Sequence, residues 1–113
     1  MANVYDISIE QGSSFNLTLT AKDSNGNLLN LNGYSARGSI KYGYGSASYL
    51  LNLNPTITNP TNGLITISLS ASDTSSLPVT KAVYDIEVFD DLNNYTFKAV
   101  RGYVNVIPEI TIF

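Results

Sequence analysis

Apolar and polar residues alternate with a period of two along most of this chain. Tyr5, Ile7 and Ile9 alternate with Asp6, Ser8 and Glu10 as far as Gln11-Gly12. Phe15, Leu17, Leu19 and Ala21 then alternate with Asn16, Thr18, Thr20 and Lys22, the cleanest run in the sequence. Successive side chains of a strand point to opposite faces, so each run predicts a half-buried strand. Asp23-Ser24-Asn25-Gly26-Asn27 is turn chemistry, because Asn-Gly tolerates the positive φ of a tight hairpin. Beyond it, Tyr34, Ala36, Gly38, Ile40 and Tyr42 share one strand face, with Ser35, Arg37, Ser39 and Lys41 on the other.

The second half repeats the pattern with more interruptions. Gly43-Tyr44-Gly45-Ser46 predicts a loop, and Tyr49 to Leu53 the returning strand. Pro55 and Pro60 bracket Thr56-Ile57-Thr58, which marks an edge or an irregular connection, since proline cannot donate to a central ladder. Asn62-Gly63 turns the chain into a strand with Ile65, Ile67 and Leu69 on one face. Ser70–Pro78 breaks the alternation, and Ser72-Asp73 is placed to cap one helical turn running to Leu77. Ala82, Tyr84, Ile86 and Val88 then face inward, with Asp85 and Glu87 outward. Asp90–Asn94 leads into a long strand from Tyr95 to Ile107, whose parity change predicts a β-bulge at Gly102. Pro108 separates the apolar segment Glu109–Phe113.

Seven to eight strands with frequent turns and a single helical turn predict an all-β fold. The best match is an antiparallel, immunoglobulin-like β-sandwich over residues 1–113 as a single domain, with a small barrel as the alternative. Phe15, Leu17, Leu19, Ile65, Ile67, Tyr84, Ile86 and Val88 are its expected core.

Composition narrows the chemistry. The chain lacks Cys and His, which excludes disulfides, thiolate zinc sites, Ser-His-Asp and Cys-His catalysis, and imidazole metal ligands. Only 13% of residues are charged, so Asn, Ser and Thr, 36 of 113 residues, must supply most of the polar surface. A net charge of −3 with no basic run gives no means of tracking a phosphate backbone, so no nucleic-acid partner is expected. The apolar runs are a few residues long, and Met-Ala-Asn-Val has no signal-peptide character, so no membrane association is expected.

The candidate sites are few. Asp85 and Glu87 lie two apart on one strand, with Asp90 and Asp91 nearby. A paired-carboxylate hydrolase or a loop calcium site at Asp90, Asp91 and Asn93 needs such residues, but strand alternation reads them as a solvated outer face. Asp23–Asn27 lacks the spacing of a calcium loop, because its Gly is fourth rather than sixth. Arg37 and Arg101 read as outer-face ion-pair residues. No catalytic residue, metal site or cofactor is therefore expected. Tyr42, Tyr44 and Tyr49 cluster around the Gly-Tyr-Gly loop, where they read either as contact residues or, for Tyr42 and Tyr49, as cross-strand core. Ile110, Ile112 and Phe113 are too apolar for a free tail, and read as a strand that pairs at home or on a neighbour.

Five stretches carry a resemblance: Asp6–Phe15 ("D-x-x-I-x-Q-G-x-x-F"), Leu31–Arg37 (L-N-G-Y-S-A-R), Gly63–Ser70, Ala82–Val88 and Gly102–Thr111. In this order they resemble a family of small tailed-phage virion structural proteins. They are also similar to the immunoglobulin-like N-terminal domain of phage baseplate upper proteins, and the match spans Tyr5 to Thr111. The resemblance implies a non-enzymatic, multi-copy protein of the virion, assembled in the host cytoplasm, that docks onto other virion proteins. Tail or baseplate proteins are the first expected partners, and the major capsid protein, bound as by a decoration protein, the alternative. Baseplate upper proteins continue past this module into receptor- or fibre-linked segments, so a chain ending at Phe113 is expected to be the docking part alone. A carbohydrate-binding module is the remaining reading, and it requires a row of exposed aromatics on one sheet face.

Overall fold

The computed structural model describes residues 3–23, 25–43, 45, 49–90 and 95–108. Its strands are β1 (Asn3–Val4), β2 (Ile7–Glu10), β3 (Phe15–Thr20), β4 (Tyr34–Lys41), β5 (Leu51–Asn52), β6 (Thr56–Asn59), β7 (Leu64–Leu69), β8 (Lys81–Asp90) and β9 (Thr96–Ile107). The chain is mostly β, in two sheets. The larger has the order β1-β9-β8-β4-β5 with β2 also on β9, and the smaller is β3-β7-β6. The described residues hold nine strands rather than seven or eight, because the first splits in two and Thr56–Asn59 forms a short strand of its own.

The inward faces of both sheets meet in one apolar layer. Ile40, Ile86, Val88 and Val104 from the larger sheet and Ile65 and Ile67 from the smaller are wholly buried. Leu31, Leu53 and Leu77 join the same cluster from outside the strands. The expected core residues of β7 and β8 are all in place. Phe15, Leu17 and Leu19 are only half-buried, because β3 is an edge strand with a neighbour on one side alone among the described residues.

One part of the antiparallel expectation does not hold. β1 and β2 pair parallel with β9, Val4 opposite Arg101 and Ile7 opposite Val104, while every other described strand pair is antiparallel. The two short strands keep one register across the break at Tyr5-Asp6. There the Asp6 carboxylate accepts a hydrogen bond from the Tyr103 amide (2.9 Å), and the Tyr5 carbonyl accepts one from the Tyr84 hydroxyl (2.5 Å).

Gly102 sits under that break and is not the bulge. Its ladder partner is Tyr84, and a Cβ there would collide with the Tyr5 carbonyl. The register shift lies three residues earlier: Ile86 pairs Val100 and Glu87 pairs Lys98, which leaves Ala99 as the extra residue.

The helical turn is α1 (Ala71–Ser75), and its cap is Ser70 rather than Ser72. The Ser70 hydroxyl accepts from the Asp73 amide while Asp73 accepts from the Ser70 amide, a reciprocal box that satisfies two donors. Thr74 is fully buried and donates to the Ser13 carbonyl (2.8 Å), tying α1 to the turn between β2 and β3.

Candidate functional site

The larger sheet carries a cluster of charges on its outer face. Strand alternation places Arg37, Ser39 and Lys41 of β4 beside Asp85 and Glu87 of β8, and β9 adds Lys98. The Ala99 bulge sets that last position, since Lys98 rather than Ala99 stands opposite Glu87. Glu87 accepts from Arg37 Nε at 2.6 Å and from Lys98 Nζ at 2.5 Å. Lys98 also reaches Asp85 at 3.0 Å, and the Arg37 guanidinium lies 4.3 Å from the centre of the Phe89 ring.

These contacts decide the charge state. Partial burial alone would raise the Glu87 carboxyl, but hydrogen bonds from Lys98 and Arg37, with their charges, hold it below its ordinary value. Lys98 is raised, first by its hydrogen bond to Glu87 and then by Asp85, against a smaller opposing effect of burial. The acidic pair is thus half of an ion-paired patch, as the outer-face reading has it. A general acid needs the opposite shift, a carboxyl held protonated near neutrality.

Around this patch the surface dips into an open cleft of about 350 Å³, lined by Arg37, Ser39, Asn52, Asp85, Lys98 and Tyr49 among others. Tyr49 stands at one end of it. β4 and β5 pair through Ile40 and Leu51, and Tyr42 and Tyr49 each lie two residues beyond that last pair. Both are well exposed, Tyr42 at 58% and Tyr49 at 59%, so neither belongs to the core. Tyr44, Ile110, Ile112 and Phe113 lie outside the described residues, as do Asp91 and Asn93. Arg101 is exposed on β9, with Asp85 as its ladder partner.

Sequence reasoning missed a second aromatic group. Tyr34, at the start of β4, meets Tyr95 edge-on with ring centres 6.0 Å apart, and Tyr95 meets Phe97 at 5.6 Å. Tyr95 is half exposed, and Tyr34 pairs with Asp90 at the far end of β8. The signal was the aromatic spacing Tyr95-x-Phe97, but only the β4–β8 register brings Tyr34 to it.

The Asp23 loop is a turn. The Asp23 carboxylate accepts from the amides of Asn25 and Asn27, both at 2.9 Å, and Gly26 takes φ of +84°. Its Oδ1 accepts both bonds from the backbone, as in an Asx turn.

No protein-family model matches this chain, and no curated protein matches it in sequence.

Proposed function

We propose that this chain is a non-enzymatic structural protein of a tailed-phage virion. In this reading it is an immunoglobulin-like sandwich that docks onto neighbouring virion proteins in the tail or baseplate region. The ordered sequence resemblance motivates the virion assignment. The observation that carries docking is the pair Tyr42 and Tyr49, both more than half exposed at the base of one hairpin. Tyrosines supply large, rigid contact area at low entropic cost, and interfaces are enriched in them. The ion-paired state of Glu87 supports a contact role over acid–base chemistry, because its carboxylate is already committed to two cations.

The test is incorporation. Particles assembled with a Tyr42→Ser/Tyr49→Ser chain should contain it in clearly reduced amount, while its thermal unfolding stays close to that of the parent. Full incorporation of the double variant would place the contact surface elsewhere. Capsid decoration uses the same contact logic with a different partner, and electron microscopy locating the chain on head or tail separates the two. The cleft beside Tyr49 is the feature that favours a glycan reading, and a glycan array tests it directly.

A further inference from the structure

The sheet edges of this protein are guarded unequally. An edge strand exposes a row of amide and carbonyl groups that can pair with another chain, so proteins shorten, charge, bend or interrupt such strands. On the larger sheet, β5 is two residues long, and the opposite edge is broken at Tyr5-Asp6 and ends on Glu10. On the smaller sheet, β6 is flanked by Pro55 and Pro60 and shifts register between Ile57 and Asn59. β3 has none of these devices. Its six residues, Phe15–Thr20, contain no charge, proline or glycine and pair in unbroken register with β7 alone among the described residues.

Two further features mark the same strand. Its inward side chains Phe15, Leu17 and Leu19 are half-buried, whereas Ile65 and Ile67 on β7 are wholly buried. A cavity of about 220 Å³ opens beside it, lined by Val4, Tyr5, Leu19, Ala21, Ile65 and Val100. An added strand would cover both.

We propose that β3 pairs antiparallel with β3 of a second copy, joining two three-stranded sheets into one of six strands. Charge argues for a copy as the occupant. The chain carries −3 overall, which opposes self-association at most surfaces. The outer face around β3 instead presents the neutral residues Asn16, Thr18, Thr58, Thr66 and Ser68, linked by hydrogen bonds. Symmetry fits as well. A two-fold axis perpendicular to the sheet, midway between the two β3 strands, is isologous and keeps both inner faces on one side, so the Phe15, Leu17 and Leu19 rows of the two copies meet. This pairing does not depend on the virion reading.

Sedimentation of the full chain tests it, with Asn16→Lys/Thr18→Lys and Asn16→Glu/Thr18→Glu as probes. Both positions are exposed, so circular dichroism should show the parent fold in both variants. The parent should dimerise, and the lysine variant should dimerise at least about tenfold more weakly, since like charges facing one another across strands are destabilising. Mixing the lysine and glutamate variants should restore a heterodimer. A parent that stays monomeric at its highest soluble concentration overturns the proposal, as does a dimer indifferent to both variants. Dimerisation that occurs only after deletion of residues 109–113 also overturns it, because the chain's own tail would then be the native occupant of the edge.

Discussion

The outer faces of the two sheets meet water with different chemistry. On the larger sheet, Arg37, Asp85, Glu87 and Lys98 form a charged patch in which each group has an ionic partner. On the smaller sheet, Thr18, Thr58 and Thr66 form a hydroxyl ladder, and Ser68 donates to Asn16. The inner faces differ in parallel: β8 and β4 lie in the middle of a wide sheet, while β3 has one described neighbour. The larger sheet thus specifies its own register through burial and charge. The smaller one relies on a single buried strand, β7, and leaves an edge that accepts a partner.

The largest expected effect separates the two inner faces. Ile86→Ala, at a wholly buried site, should lower unfolding free energy by roughly 2–5 kcal/mol. Leu17→Ala should fall below that range, about 1–2 kcal/mol, because the side chain is already partly in water. Equal losses in denaturant titrations would dissolve the distinction between centre and edge.

Gly102→Ala comes next. The added methyl meets the Tyr5 carbonyl, and the backbone must shift or the Tyr84–Tyr5 hydrogen bond must break, at a cost of about 1–3 kcal/mol. Thermal unfolding reads it, and an unchanged midpoint would mean that β1 is not held against β9.

The charged patch should contribute less, and its sign depends on pH. Glu87 lies below its ordinary value of 4.5, so its contribution is present above that pH and is lost as pH falls through the lowered value. Lys98 is raised above 10.5, so its contribution is present below that pH and is lost as pH rises through the raised value. Glu87→Gln should therefore destabilise by about 1 kcal/mol near neutrality, with the gap closing in acid. A gap independent of pH would show that the ion pairs do not stabilise the sheet. Smallest of all, Thr66→Ala should change stability by less than about 0.5 kcal/mol, as the hydroxyl of this half-buried residue bonds only the exposed Thr18 and Thr58 and exchanges them for water in the unfolded chain.

Much of this was legible in the sequence, and the reasons are local. β3, β4, β7 and β8 each bury one face, so Leu17, Ile40, Ile67 and Ile86 announce themselves by alternation. Asn25-Gly26 and Gly63 mark turns because few residues adopt positive φ. The misses depend on contacts distant in sequence. Parallel pairing of β1 and β2 with β9 leaves the same alternation as antiparallel pairing. The bulge was misplaced by three residues because Ala99 is small and apolar and fits either parity, while Gly102 is required by Tyr5 crossing above it. Ser70 and Ser72 are both capping residues, and only the reciprocal bond with Asp73 distinguishes them. At the candidate site, alternation exposed Arg37 and Glu87, but their union with Lys98 required the β8–β9 register. Tyr42 looked like strand interior and instead lies past the last residue of β4.

The proposed role makes this chain a stoichiometric part of a virion, held there by protein contact. Quantitative mass spectrometry of purified particles tests it most directly. The expected result is a fixed number of copies per particle that survives washing and repeated purification, low for a tail or baseplate site and in the hundreds for a capsid site. Particles that carry no copies, or a number that varies with washing, would contradict it.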